Sequence, residues 1–147
     1  MSGARIFPTA QDAENAFYEA LERADLDLMM AVWAEDEDIV CVHPGSPRLT
    51  GVEQVRAAWR GMFAGGPHMR VRAVQQVVIS GMMVAVHNVH ESITVQGEAK
   101  PRPPVVATNV YLRSAAGWRM VVHHASPPAS GASAAAEAPA SSSKTLH

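Results

Sequence analysis

From residue 68 onward the chain shows the two-residue alternation of β-strands and no helical period. Three breaks, Ser80-Gly81, the Gly97 to Pro104 loop and Ser114 to Gly117, divide it into runs over roughly 68–79, 82–96, 104–114 and 117–125. Four consecutive strands with turns this short read as an antiparallel meander. Such a sheet must bury one face, and the apolar surface that covers it has to come from the residues before it.

Those residues carry helical periods. Ala13, Ala16, Phe17, Ala20, Leu21 and Ala24 recur at the spacing of one helix face, behind a weak capping pair, Thr9 and Asp12. Asp25 caps a second, shorter helix whose Leu26, Met29, Met30 and Trp33 share a face, and the acidic stretch Glu35-Asp36-Glu37-Asp38 stops it. Ile39 to His43 is a short β-branched run closed by Pro44-Gly45-Ser46-Pro47. Thr50 and Glu53 make the capping box of a third helix, lined by Val52, Val55, Trp59, Met62 and Phe63 and ended by Gly65-Gly66-Pro67. The predicted order is ααβαββββ. It describes an α+β domain over residues 5–126, with helices covering one face of a curved, mostly antiparallel sheet and leaving a cone with a mouth. Residues 127–147 hold only Leu146 as a large apolar side chain and read as a disordered Ala/Ser/Pro-rich tail.

The net charge of −2 gives no basic face for neutralising phosphates, so no nucleic-acid partner is expected. No run of about 18 apolar residues occurs and the N-terminus has no apolar leader, so neither a membrane span nor secretion is expected. A lone Cys41 excludes a disulfide framework within the chain and a Cys-based zinc site, and it fits a reducing, cytoplasmic setting. There is no Gly-x-Ser-x-Gly elbow, no glycine-rich phosphate loop and no Cys–His nucleophile pair.

Three stretches carry a family resemblance: Ala24-Asp25-Leu26 through Trp33-Ala34-Glu35-Asp36 with the Val42-His43-Pro44 turn; Gly51 opening the helix of Trp59; and Thr108, Val110, Tyr111, Arg113, Gly117-Trp118-Arg119, His124 and Ser126. Together they resemble the cone-shaped α+β superfamily of nuclear transport factor 2, ketosteroid isomerase, scytalone dehydratase and the SnoaL-like polyketide cyclases. The last stretch also resembles the association domain of calmodulin-dependent kinases. The resemblance implies the fold, whereas the fold hosts enzymes, binders and association modules alike.

The resemblance also implies site positions. His43 stands where the isomerase branch has its acidic base, and an imidazole suits proton abstraction at neutral pH. Phe17 stands where that branch has an oxyanion-donating tyrosine, with Tyr18 one residue out of phase; a phenyl ring donates no hydrogen bond. The cavity arginines of the kinase association domain fall on Asn88, Asn109 and Ala125, which implies a small neutral, partly apolar ligand instead of an anion. Strand alternation from Asn88, Asn109 and Ala125 adds His90, Tyr111 and His123 to the cavity, with His124 as the alternative if a bulge reverses the last strand. Trp33 and Trp59 lie on the helices that roof the cone. The face carrying Val106, Thr108, Val110 and Leu112 is the more apolar one, and its burial in a homodimer through the outer sheet face reconciles the two readings.

Metal ligation is not expected, because in the His87, His90 and Glu91 run the two histidines, three residues apart, point to opposite faces of a strand, and no cofactor is implied. Three functions stay open: a small-molecule-binding domain with a neutral polar cavity, a cofactor-free isomerase, dehydratase or cyclase with His43 as base, and a dimerisation module without ligand.

Overall fold

The computed structural model describes residues 5–65 and 68–129; most of the expected tail, and the Gly66-Pro67 end of the third helix, lie outside the described residues. Helix α1 spans Ala10–Arg23. Its start is stronger than expected: the Thr9 hydroxyl accepts from the Asp12 N–H at 3.0 Å, and the Asp12 carboxylate accepts from the Thr9 N–H at 3.2 Å, a complete capping box. Ala13, Ala16, Phe17 and Ala20 are buried on its core face, and so are Glu14 and Tyr18.

Helix α2, Leu26–Val32, is capped by the Asp25 carboxylate, which accepts from the Leu28 N–H at 3.0 Å. Strands β1 (Val40–Val42) and β2 (Leu49–Thr50) lead into helix α3, Gly51–Ala64. The expected Thr50–Glu53 box does not form. Thr50 is paired in β2, which the sequence reading did not include, its side chain caps nothing, and its N–H donates to Gln54 Oε1 at 3.0 Å. The meander follows as β3 (Met69–Ser80), β4 (Val84–Val95), β5 (Val105–Ser114) and β6 (Gly117–Ser126).

The sheet order is β2-β1-β6-β5-β4-β3, antiparallel except for the β1–β6 pair. The core lies between the helices and the inner face of the open, curved sheet, where Phe17, Met29, Val55, Trp59, Val89, Ala107 and Met120 are buried. At the β5–β6 turn, Gly117 has φ +92°, and a Cβ there would lie 2.9 Å from the Phe7 carbonyl oxygen. Gly117→Ala is therefore expected to cost about 2 kcal/mol from backbone strain, read in urea unfolding.

Two bulges set the phase of the strands. One lies in β6, where Val110 pairs with Val122 but Tyr111 pairs with Met120. The extra residue, Val121, turns the strand so that Met120, His123 and Ala125 all point inward; the bulge falls before His123, and His124 is outside. The other lies in β3 between Val74 and Val77, with Gln75 at φ 49°.

Candidate functional site

Pairing register decides which polar side chains enter the interior. His87 of β4 lies directly opposite Asn109 of β5, and Asn88 lies opposite Thr108. Cross-strand partners share a face, so Asn109 and Asn88 cannot both point inward. Asn109, Tyr111 and His123 are buried on the inner face with His87 and Glu91. Asn88 and His90 are placed on the outer face, a correction of the expected cavity, and Asn88 donates to Thr108 Oγ1 at 3.0 Å.

The inner polar groups form one network anchored on Glu14. Its Oε2 accepts from Asn109 Nδ2 at 3.1 Å and from the Tyr111 hydroxyl at 2.9 Å. Its Oε1 accepts from Gln76 Nε2 and from His87 Nδ1, the latter at 3.1 Å. Gln76 reaches inward because the β3 bulge takes Gln75 and Gln76 out of the ladder and re-aims the side chain. Asn109 Nδ2 also donates to the Tyr18 hydroxyl at 3.1 Å, and that hydroxyl donates to Glu91 Oε2 at 2.7 Å. With the Asn109 amide nitrogen committed to two acceptors, its Oδ1 must accept the 2.6 Å bond from His123 Nδ1. The His123 proton is therefore on Nδ1, and the Nε2 lone pair lies 4.0 Å from Glu91 Oε2.

The two carboxyls differ in charge preference. Burial pushes Glu14 up, but bonds from His87, Asn109 and Tyr111 and the His87 charge outweigh it and leave its pKa below the ordinary value. Burial pushes Glu91 up as well, and there the Tyr18 bond opposes only in part while the Glu14 charge adds, so its pKa is raised to about 7. Burial, then the neighbouring carboxylates, hold Tyr18 and Tyr111 well above 10, so both remain donors. Burial lowers His123 to about 3, with the positive charges of His43 and His124 acting in the same direction, which keeps it neutral. The expected neutral polar cavity thus contains two carboxyl groups, one of them poised to exchange a proton near neutrality.

His43 is not joined to the Glu14 network by a hydrogen bond. Its ring stands edge-on to Trp59 at 4.8 Å, its Nε2 is 3.7 Å from Cys41 Sγ, and burial lowers its pKa. Trp59 fills the interior with Phe17, ring centroids 5.6 Å apart. Trp33, the C-cap of α2, is buried in the same core and also borders a separate surface groove of about 680 Å³ with Leu112, Arg113 and Arg119. Glu14 and Gln76 were not singled out from the sequence, and Tyr18, His87 and Glu91 were weighed there without being placed in the cavity. The available signal was in α1, where Glu14 and Tyr18, four residues apart, flank the apolar stripe.

A groove of about 540 Å³ between α1 and β3 leads to this network, with Glu14, Tyr18 and Gln76 among its lining and Glu19, Glu22, Arg23 and Arg72 beside them. Among the described residues no group of three or more His, Cys, Asp or Glu side chains is arranged to hold a metal ion, and no helix is long and apolar enough to cross a membrane.

Three helices on an open, curved six-stranded sheet with a polar interior define the nuclear transport factor 2-like class. Within that class the chain belongs to the SnoaL-like domain family, whose family model matches residues 11–130. A structure from Thiobacillus denitrificans ATCC 25259, provisionally named a calcium/calmodulin-dependent protein kinase type II association domain, is 48% identical over 84% of this chain and 98% of that one, with a TM-score of 0.75. A provisionally named dehydratase of the NTF2-like family from Streptomyces avermitilis is 32% identical over 78% and 90% of the two chains, TM-score 0.71. A provisionally named ketosteroid isomerase from Parabacteroides distasonis ATCC 8503 is 22% identical over 79% and 85%, TM-score 0.63, and shows the fold alone. No curated protein of known function matches the chain.

Proposed function

We propose that this SnoaL-like domain binds a small carbonyl compound in the α1–β3 groove and carries out cofactor-free acid–base chemistry on it, of the isomerase or lyase type. The observation that carries the reading is the buried Tyr18–Glu91 pair: a carboxyl with pKa raised to about 7, held by a 2.7 Å bond from a hydroxyl at the groove. Glu91 is the base in this reading, in place of His43. Tyr18 stays protonated and gives its single hydrogen to Glu91, so it positions the base at the groove, and Asn109 and His123 orient the pair through the 2.6 Å and 3.1 Å bonds described above.

Deuterium exchange tests this without a known product. Cyclic ketones and enones incubated with the protein in D₂O are expected to lose α-protons faster than in buffer, and Glu91→Gln is expected to slow that exchange about 10²–10⁴-fold. Exchange at the buffer rate with the wild type, or an unchanged rate in the variant, would remove Glu91 from the chemistry.

A second reading is supported by the 48% identical neighbour provisionally named an association domain. In that reading the domain pairs with a second copy through the outer sheet face. The register aligns Ile79, Val86, Val110 and Val122 as an apolar row across β3, β4, β5 and β6, next to a row of Val77, Asn88, Thr108 and His124. Exposed Val77, Ile79, Val84, Val106 and Leu112 extend the patch. Val110→Asp is expected to weaken the dimer about a hundredfold. Sedimentation equilibrium reads it, and a wild type that stays monomeric at high concentration would exclude this interface.

A further inference from the structure

We propose that Glu14 and His87 form a carboxylate–imidazole dyad serving a second pocket at the N-terminal end of α1, as a proton-transfer site for a small, mostly apolar molecule bearing a hydroxyl or an acidic C–H. This pocket, about 270 Å³, lies between the start of α1 and the β3–β4 turn, and Ala10, Val78, Ala85, His87 and Trp118 are among its walls. It is smaller than the roughly 300–1,000 Å³ of drug-sized sites, which limits the ligand to a small molecule. His87 is its one titratable lining residue, and the other walls supply apolar surface, two hydroxyls and an amide.

The chemistry follows from which nitrogen of His87 holds the proton. Nδ1 lies 3.1 Å from Glu14 Oε1, and an ionised carboxylate only accepts, so Nδ1 carries the hydrogen and Nε2 keeps the lone pair. Gln76 Nε2 donates to the same Glu14 oxygen and lies 3.4 Å from that Nδ1, a longer contact than the 3.1 Å to the charged carboxylate, which therefore sets the tautomer. Glu14 is itself held by Asn109 and Tyr111, and the Tyr111 ring lies 5.1 Å from the imidazole. A buried, fully bonded carboxylate that fixes the tautomer and stabilises the imidazolium is the role the acidic member of a catalytic triad plays.

In the step this permits, His87 Nε2 takes a proton from the substrate oxygen or carbon and the electron pair stays on the substrate. Glu14 stabilises the imidazolium across Nδ1–H, and the same proton returns to another substrate atom, so an isomerisation balances with no added reactant. The proposal stands apart from the Glu91 reading, since it uses a different pocket and base.

The test reads the imidazole directly. Long-range ¹H–¹⁵N spectra of the folded wild type are expected to show His87 as the Nδ1–H tautomer. Diethyl pyrocarbonate, followed by peptide mass spectrometry, is expected to reach His87, itself as buried as His123, through the pocket that it lines. Ala10→Leu, which fills the pocket without touching the dyad, is expected to slow that modification at least tenfold, as is Glu14→Gln, which removes the charge. An Nε2–H tautomer, an unmodified His87 in the folded wild type, or a rate unaffected by Ala10→Leu would overturn the proposal.

Discussion

Replacing Glu14 with Ala is expected to cost the fold roughly 3–5 kcal/mol, the range for removing one partner from a buried charged network. The carboxylate takes donors from Gln76, His87, Asn109 and Tyr111. Gln76 is exposed enough to turn to water, but His87, Asn109 and Tyr111 are buried and would each leave a donor unpaired. Glu14→Gln keeps the volume and one acceptor oxygen and is expected to cost less. The pH dependence has a definite sign: the folded pKa of Glu14 lies below its unfolded value, so its stabilisation is complete above that value and fades as pH falls below about 4.5. Urea unfolding of both proteins at pH 7 and pH 3.5 checks it, with the gap narrowing at the lower pH. A cost under about 1 kcal/mol at pH 7 would mean that the network does not organise the interior.

Glu91→Gln is expected to become more favourable relative to the wild type as pH rises. The Glu91 carboxyl has a folded pKa raised from 4.5 to about 7, so the folded state binds the proton that the unfolded state has released. Wild-type stability therefore loses a contribution between pH 4.5 and 7, about 3 kcal/mol at about 1.4 kcal/mol per pH decade. Neutral Gln has no such loss and still accepts from Tyr18. His123 acts in the opposite sense: its folded pKa is depressed from 6.5 to about 3, so its contribution is present above 6.5 and lost as pH falls. Between 4.5 and 6.5 the Glu91 slope opposes that of His123, and His43, whose folded pKa burial also lowers, adds to the His123 side; the variant keeps the histidine slopes alone. The difference between the two curves isolates Glu91, and parallel curves from pH 4.5 to 8 would show an ordinary carboxyl.

The parts of the architecture legible in the sequence are those set by local pattern. The α1 stripe, the Asp25 cap and the three breaks of the meander each depend on residues within one element, and the order of elements follows from them except for the two-residue β2. Long-range pairing decided what was not legible. In β4, Val84-Ala85-Val86-His87-Asn88-Val89-His90-Glu91 mixes apolar and polar residues on both faces, so alternation alone cannot choose, and only the His87–Asn109 register places Asn88 and His90 outside. In β3, a bulge with Gln75 at φ 49° carries no glycine to announce it, and Gln76 would otherwise count as one more exposed amide. Glu14 reads as a solvated helix residue until Asn109 and Tyr111, nearly a hundred residues later in the chain, supply its donors.

The most direct test is the titration of one carboxyl. The ¹³Cδ resonance of Glu91, labelled and followed by NMR from pH 3 to 9, is predicted to move with a midpoint near 7 in the wild type and to shift further when Tyr18→Phe removes the donor that favours the anion. A midpoint near 4.5, unmoved by Tyr18→Phe, would contradict a proton-exchanging site built on Glu91.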